Sequence, residues 1–157
     1  MNKLSPLLLS SVLIFGVAAC RDVAKTSASA PNSTKTNGET PDLDTVLNNK
    51  SDATSAVRRA QANSDIRARE ERRELFKQGE ERSDRNLESE VRSKLEVNLP
   101  ASQLTVNAKD GIVTISGMVT TKEHLARIEP LAKEIRGVKG VTVKATLTPN
   151  LPPEQKR

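Results

Sequence analysis

Few residues of this chain have side chains suited to chemistry. Cys20 is its only cysteine and His124 its only histidine. A zinc site therefore lacks a second imidazole or thiolate to complete it, and no serine sits in a nucleophile elbow. His124 falls at the edge of an apolar helical stripe, the place of a packed boundary residue and not of a general base. Neighbouring acids such as Glu70 and Glu71 stand in a run of exposed charge, with no pocket to shift their pKa values. The reading is a non-enzyme, without catalytic residues, metal or cofactor. What remains is binding chemistry. Lys122, Lys133 and Arg136 recur at i, i+11 and i+14, on one outer flank of a helix, and could attract anionic lipid headgroups. Glu129 interrupts them, so the competing reading is a solvated face of mixed charge.

Cys20 has a more particular setting. Asn2 and Lys3 precede an apolar run through Leu7, Leu13 and Phe15, and small residues lead to Val17-Ala18-Ala19-Cys20. That is the layout of an export leader, and the run is shorter than the ~20 residues that a bilayer-spanning helix needs. The last four residues resemble the lipobox of bacterial lipoproteins, whose cysteine becomes the acylated first residue of the mature chain. The alternative is an ordinary leader cut after Ala19 that leaves an unpaired thiol in an oxidising compartment. Acylation leaves no thiol, and anchors the chain without any spanning helix. Arg21, where many inner-membrane lipoproteins of enteric bacteria carry aspartate, points to the outer membrane facing the periplasm.

Composition bounds what the anchor carries. The chain has 157 residues, 35% hydrophobic and 1% aromatic, so its core must be small and aliphatic. A formal charge of +5, with acids and bases interspersed, argues against a nucleic-acid partner and leaves weak attraction to anionic lipid.

Along the chain, residues 1–19 read as the leader and 20–52 as a flexible tether, because Ser, Thr, Asn and Pro dominate and only Leu43, Val46 and Leu47 are larger apolar residues. Such a tether would reach about 30 Å. Residues 53–83 are rich in Ala, Arg, Glu and Gln and read as a charged helical stalk, supported by pairs such as Asp65 with Arg69. Val57, Ile66, Leu75 and Phe76 form no continuous stripe, so a spacer is expected in preference to a coiled coil or a membrane-surface helix.

Residues 84–148 read as the folded unit, and 149–157 as a disordered tail. Ser83-Asp84 caps a helix with Leu87, Val91, Leu95 and Leu99 at i+4 spacing, ended by Pro100. Alternating runs on both sides of Asp110-Gly111 predict a β-hairpin with a type I′ turn, Val113, Ile115 and Val119 facing in and Thr114 and Ser116 facing out. A second helix follows over about 122–136, with Leu125, Ile128, Leu131, Ala132 and Ile135 buried, Pro130 kinking it and Gly137 stopping it. Val141, Val143, Ala145 and Leu147 make a third strand. The expectation is an α+β domain of order αββαβ, with two helices on one face of a three-stranded sheet.

Gly111, Val113, Ile115 and Gly117 fit a G-x-V-x-L-x-G strand, and Gly137-Val138-Lys139-Gly140-Val141 fits a G-V-x-x-V lead-in to the last strand. In these residues the segment resembles the BON domain, a module of bacterial envelope proteins named for osmotically inducible and nodulation proteins. Gly111, Gly117 and Gly137 read as architecture: a turn, a bulge or a close helix approach, and a helix stop. Many members carry two copies, and this chain shows one. The resemblance implies a membrane-associated, phospholipid-interacting module that maintains the envelope under osmotic stress. The competing expectation is a scaffolding module docked on another envelope protein, with Cys20 supplying location alone. A solute-binding role is disfavoured because a domain this small has little room for a pocket of several hundred Å³.

Overall fold

The computed structural model describes residues 23–76 and 83–148. Cys20, the leader 1–19 and the tail 149–157 lie outside the described residues. In chain order the elements are β1 (Ala24–Lys25), α1 (Leu43–Thr54), α2 (Ala56–Phe76), α3 (Asp84–Asn98), β2 (Gln103–Lys109), β3 (Ile112–Val119), α4 (Lys122–Lys133), β4 (Gly140–Val143) and β5 (Thr146–Leu147).

The expected α+β unit is present. Ser83 caps α3, its side chain accepting from the Asn86 N–H. Leu87, Val91, Leu95 and Leu99 then present one fully buried stripe to the sheet. Burying each such side chain is worth about 1.5–3 kcal/mol. β2 and β3 form the antiparallel hairpin, with Val106 opposite Ile115 and Ala108 opposite Val113. Asp110 and Gly111 both have positive φ, 54° and 83°, as a type I′ turn requires. Thr121 caps α4, whose Ile128, Leu131 and Ala132 close the core from the same side as α3. The helix runs through Pro130 and ends at Lys133, three residues earlier than the sequence pattern suggests, and Gly137 at φ 99° turns the chain back toward the sheet. β4 and β5 are two short pieces of the anticipated third strand, both parallel to β3 and separated at Lys144-Ala145.

Three expectations need correction. The sheet has five strands, because β1 pairs antiparallel with β2, Ala24 opposite Val106, and the last strand is divided. The stretch read as a free tether is, from Val23 onward, part of the fold. Thr26 lies buried against β2, where its Oγ1 donates to the Ser102 carbonyl at 2.9 Å and accepts from the Leu104 N–H at 2.9 Å and from Ser102 Oγ at 3.1 Å. Beyond it the chain crosses the outer face of the sheet as a strap. Gln103 Nε2 donates to Ser29 Oγ, Thr105 Oγ1 to the Pro31 carbonyl, and the Gly117 N–H to Asn37 Oδ1 at 3.0 Å. Ser116, expected to face solvent, is buried beneath this strap together with Gln103, Thr105 and Met118.

The third correction concerns the charged stalk, which is a docked helix and not a spacer. α2 packs along α3, burying Ala62. Arg58 of α2 and Arg92 of α3 both clasp Glu96, whose side chain is 2% exposed. Arg92 also reaches Asp65, and Arg69 donates to Asn86 at 2.9 Å. Asp65 and Arg69, read from their spacing as a pair within one helix, thus both reach across to α3. The buried Glu96 carboxylate, held by two guanidiniums, ties α2 to α3, since without Arg58 only Arg92 of its own helix would face it.

Candidate functional site

The basic flank anticipated on α4 is divided by the fold. Lys122 opens the helix and Lys133 ends it, some 16 Å away at 1.5 Å of rise per residue. Lys133 is bonded to Glu129 at 2.6 Å, the acid that interrupts the series in the sequence. Arg136 lies past the helix end, in the turn before Gly137. Nearby, Lys94 of α3 pairs with Glu134 at 2.6 Å. These residues make a charge-balanced face, and Lys122 stands at the opposite end from the other two.

A second group of exposed lysines gathers at the hairpin end of the sheet. Asp84, in the first turn of α3, accepts from the Asp110 and Gly111 N–H groups at 3.0 and 3.1 Å, pinning the hairpin turn to the helix start. The Gly111 carbonyl accepts from the Lys139 N–H at 2.9 Å, which brings the chain entering β4 alongside the same turn. Glycine is favoured at 111 by its positive φ, and a Cβ there would sit 2.9 Å from Cδ of the flexible Lys139 stem. The exposed Lys139 stem thus lies over the turn. Beside it Ile112 stands 45% exposed, with its terminal methyl close to Gly140. Lys109, exposed on the other arm of the hairpin, pairs in register with Ile112.

The sequence reading did not single out Lys109, Ile112 or Lys139. One signal was available: Ile112 is the apolar member of the outward-facing set Ile112, Thr114, Ser116, so it breaks the alternation where nothing covers it. Lys139 was in view only as a filler position of the glycine motif. Contact between it and the hairpin turn depends on β4 lying parallel to β3, a pairing that no local pattern announces.

Gly117 serves differently from either expected role. At φ 120°, its missing Cβ makes room for the backbone of β2, because an added Cβ would overlap the Gln103 carbonyl. The close approach is strand to strand, not helix to sheet. β2 is covered along its free edge as well: β1 takes its middle, and Glu88 of α3 accepts from the Ala108 N–H at 2.9 Å.

An open cleft of about 510 Å³ lies where α2, α3 and the end of α4 meet, lined by Ile66, Val97 and Ile135 among Arg67, Lys94 and Glu134. The small size of the domain argues against such a space, and the cleft arises because α2 packs beside α3 and supplies one wall. Its lining carries both signs of charge and no convergent set of donors. Among the described residues no group of three or more His, Cys, Asp or Glu side chains could hold a metal ion, and no helix is long and apolar enough to cross a membrane. His124 is half-buried at the α4 start, its N–H donating to the Thr121 cap.

Comparison with known proteins gives the domain its type. Residues 83–149 match the family model of the BON domain, in a single copy. BON domains are non-enzymatic binding domains associated with membranes and phospholipids or with osmotic stress. No curated protein matches the chain.

Proposed function

We propose that the chain is a lipid-anchored protein of the bacterial cell envelope, exported under residues 1–19, acylated at Cys20 and held at the outer membrane facing the periplasm. In this reading the BON domain works at the phospholipid surface and supports envelope integrity under osmotic stress. The observation that carries it is the BON domain at residues 83–149, a domain type associated with membranes and phospholipids. Its position in a chain that opens with an export leader ending in Val17-Ala18-Ala19-Cys20 supports the anchoring.

The domain's own affinity is tested by co-sedimenting residues 21–157, which lack Cys20 and its lipid, with phosphatidylglycerol and phosphatidylcholine vesicles at low and physiological salt. Binding that prefers the anionic vesicles and weakens with salt is expected of headgroup recognition by lysine and arginine. Absence of binding to either vesicle refutes headgroup recognition and leaves the acyl chains as the membrane contact. The anchor is tested separately, by the mass of the N-terminal peptide recovered from cell membranes.

A further inference from the structure

The short distance between the anchor residue and the first strand fixes more than location. Only Arg21, Asp22 and Val23 separate Cys20 from Ala24. Four residue steps span at most about 14 Å. β1 runs antiparallel to β2, with Ala24 opposite Val106 and Lys25 opposite Thr105, so the chain enters the sheet from the side of the hairpin turn. An acyl group on Cys20 is thereby confined near the end of the domain that carries Lys109, Ile112 and Lys139.

We infer that this hairpin end is the surface through which the domain rests on its own anchoring bilayer, with Lys109 and Lys139 over anionic phosphates and Ile112 against the headgroup layer. The inference rests on the anchoring proposed above and adds an orientation to it. Lys109 and Lys139 are both exposed at this end, and Arg85 lies exposed in the adjoining first turn of α3. Of the three acids here, Asp84 is turned inward onto the hairpin N–H groups, Glu88 accepts from the Ala108 N–H and the Asn107 side-chain amide, and Asp110 is exposed. Ile112 is the most exposed large apolar side chain of residues 83–148, and it sits between the two lysines. A short leash also changes what the protein can do: a domain held within about 14 Å of its anchor cannot reach across to an opposing membrane.

The occupant is the anionic bilayer, because the anchor would deliver this end to the membrane whatever else it touches and the exposed side chains it brings there include Lys109, Lys139 and Arg85. At physiological ionic strength the attraction acts within about 8 Å, a distance the leash keeps in play.

The test uses residues 20–157, acylated by the cell and reconstituted in phosphatidylglycerol and phosphatidylcholine nanodiscs doped with a nitroxide-headgroup lipid, and reads the paramagnetic broadening of each amide. Broadening strongest at residues 109–112 and 139–140 and weakest at 120–123 is expected. The Lys109→Glu/Lys139→Glu variant should keep the broadening that the leash alone imposes and lose the excess at residues 109–112 and 139–140, while its undoped spectrum stays dispersed; broadening equal to the parent's overturns the lysine contact. Uniform broadening, or a maximum around Lys122, overturns the orientation. Should the recovered chain carry an unmodified Cys20, the anchoring reading fails. The same chain coupled through Cys20 to a maleimide lipid then still decides which end faces the bilayer.

Discussion

Thr26→Val separates a strap from a tether. The substitution keeps the shape of the side chain and removes one hydroxyl. In the fold that hydroxyl accepts from the Leu104 N–H and from Ser102 Oγ, and donates to the Ser102 carbonyl, all at 2.9–3.1 Å in a buried setting. The valine leaves the Leu104 N–H and the Ser102 carbonyl facing a methyl group. Each orphaned buried group costs about 1–3 kcal/mol, so the pair should cost about 3 kcal/mol. For a domain with the usual 5–15 kcal/mol of stability that is a large fraction. With a urea m-value of about 1.5 kcal/mol/M, the midpoint of unfolding of residues 21–157 should fall by about 2 M, read by far-ultraviolet circular dichroism. Thr26→Ser, which retains the hydroxyl, should stay within about 1 kcal/mol of the parent. If residue 26 belonged to a free tether, the valine would change stability by less than about 0.5 kcal/mol, or some 0.3 M. A shift that small refutes the docking of the N-terminal segment.

Three other perturbations probe separate features. Gly117→Ala forces a Cβ onto the Gln103 carbonyl at a φ of 120° and should cost about 3–5 kcal/mol, enough to cut the yield of folded protein; a thermal midpoint equal to the parent's would contradict the close strand approach. A double-mutant cycle of Arg58→Ala with Glu96→Gln should show a coupling of about 1–3 kcal/mol in chemical denaturation, and a value near zero would mean that α2 is not held on α3 by this clasp. The Asp42 carboxyl caps α1 and is held below the usual carboxylate range by the Thr45 N–H. Its help to α1 is therefore present above the unfolded pKa of about 4 and is lost as pH falls through the lower folded value, so its carboxyl carbon should titrate below the carboxyl of an unfolded aspartate by NMR; a midpoint at the unfolded value would remove the cap.

The parts of this molecule legible from sequence are those whose physics is local. Asp110-Gly111 between alternating runs announces its turn because two positive φ angles leave little other choice, and the Leu87 to Leu99 stripe announces its helix through spacing alone. Lys133 meeting Glu129 follows from i,i+4 geometry. The strap escaped because it is held by Thr26, Ser29, Pro31 and Asn37 through hydrogen bonds to chain about 75–80 residues away. Residues of those types look alike in a docked strap and in a solvated linker. The docking of α2 was hidden for a similar reason: small Ala62 and charged Arg58 make its interface, so no apolar stripe marks it. The hairpin-end surface is legible only once β4 is known to run parallel to β3, because that pairing alone brings Lys139 to Gly111.

The pairing of β1 with β2 also sets an order of events. Thr26 and Leu104 are 78 residues apart, whereas the β2–β3 hairpin and the α3 and α4 contacts upon it are made over much shorter stretches of chain. The first strand to be synthesised therefore cannot be seated until β2, nearly 80 residues further along the chain, has followed it.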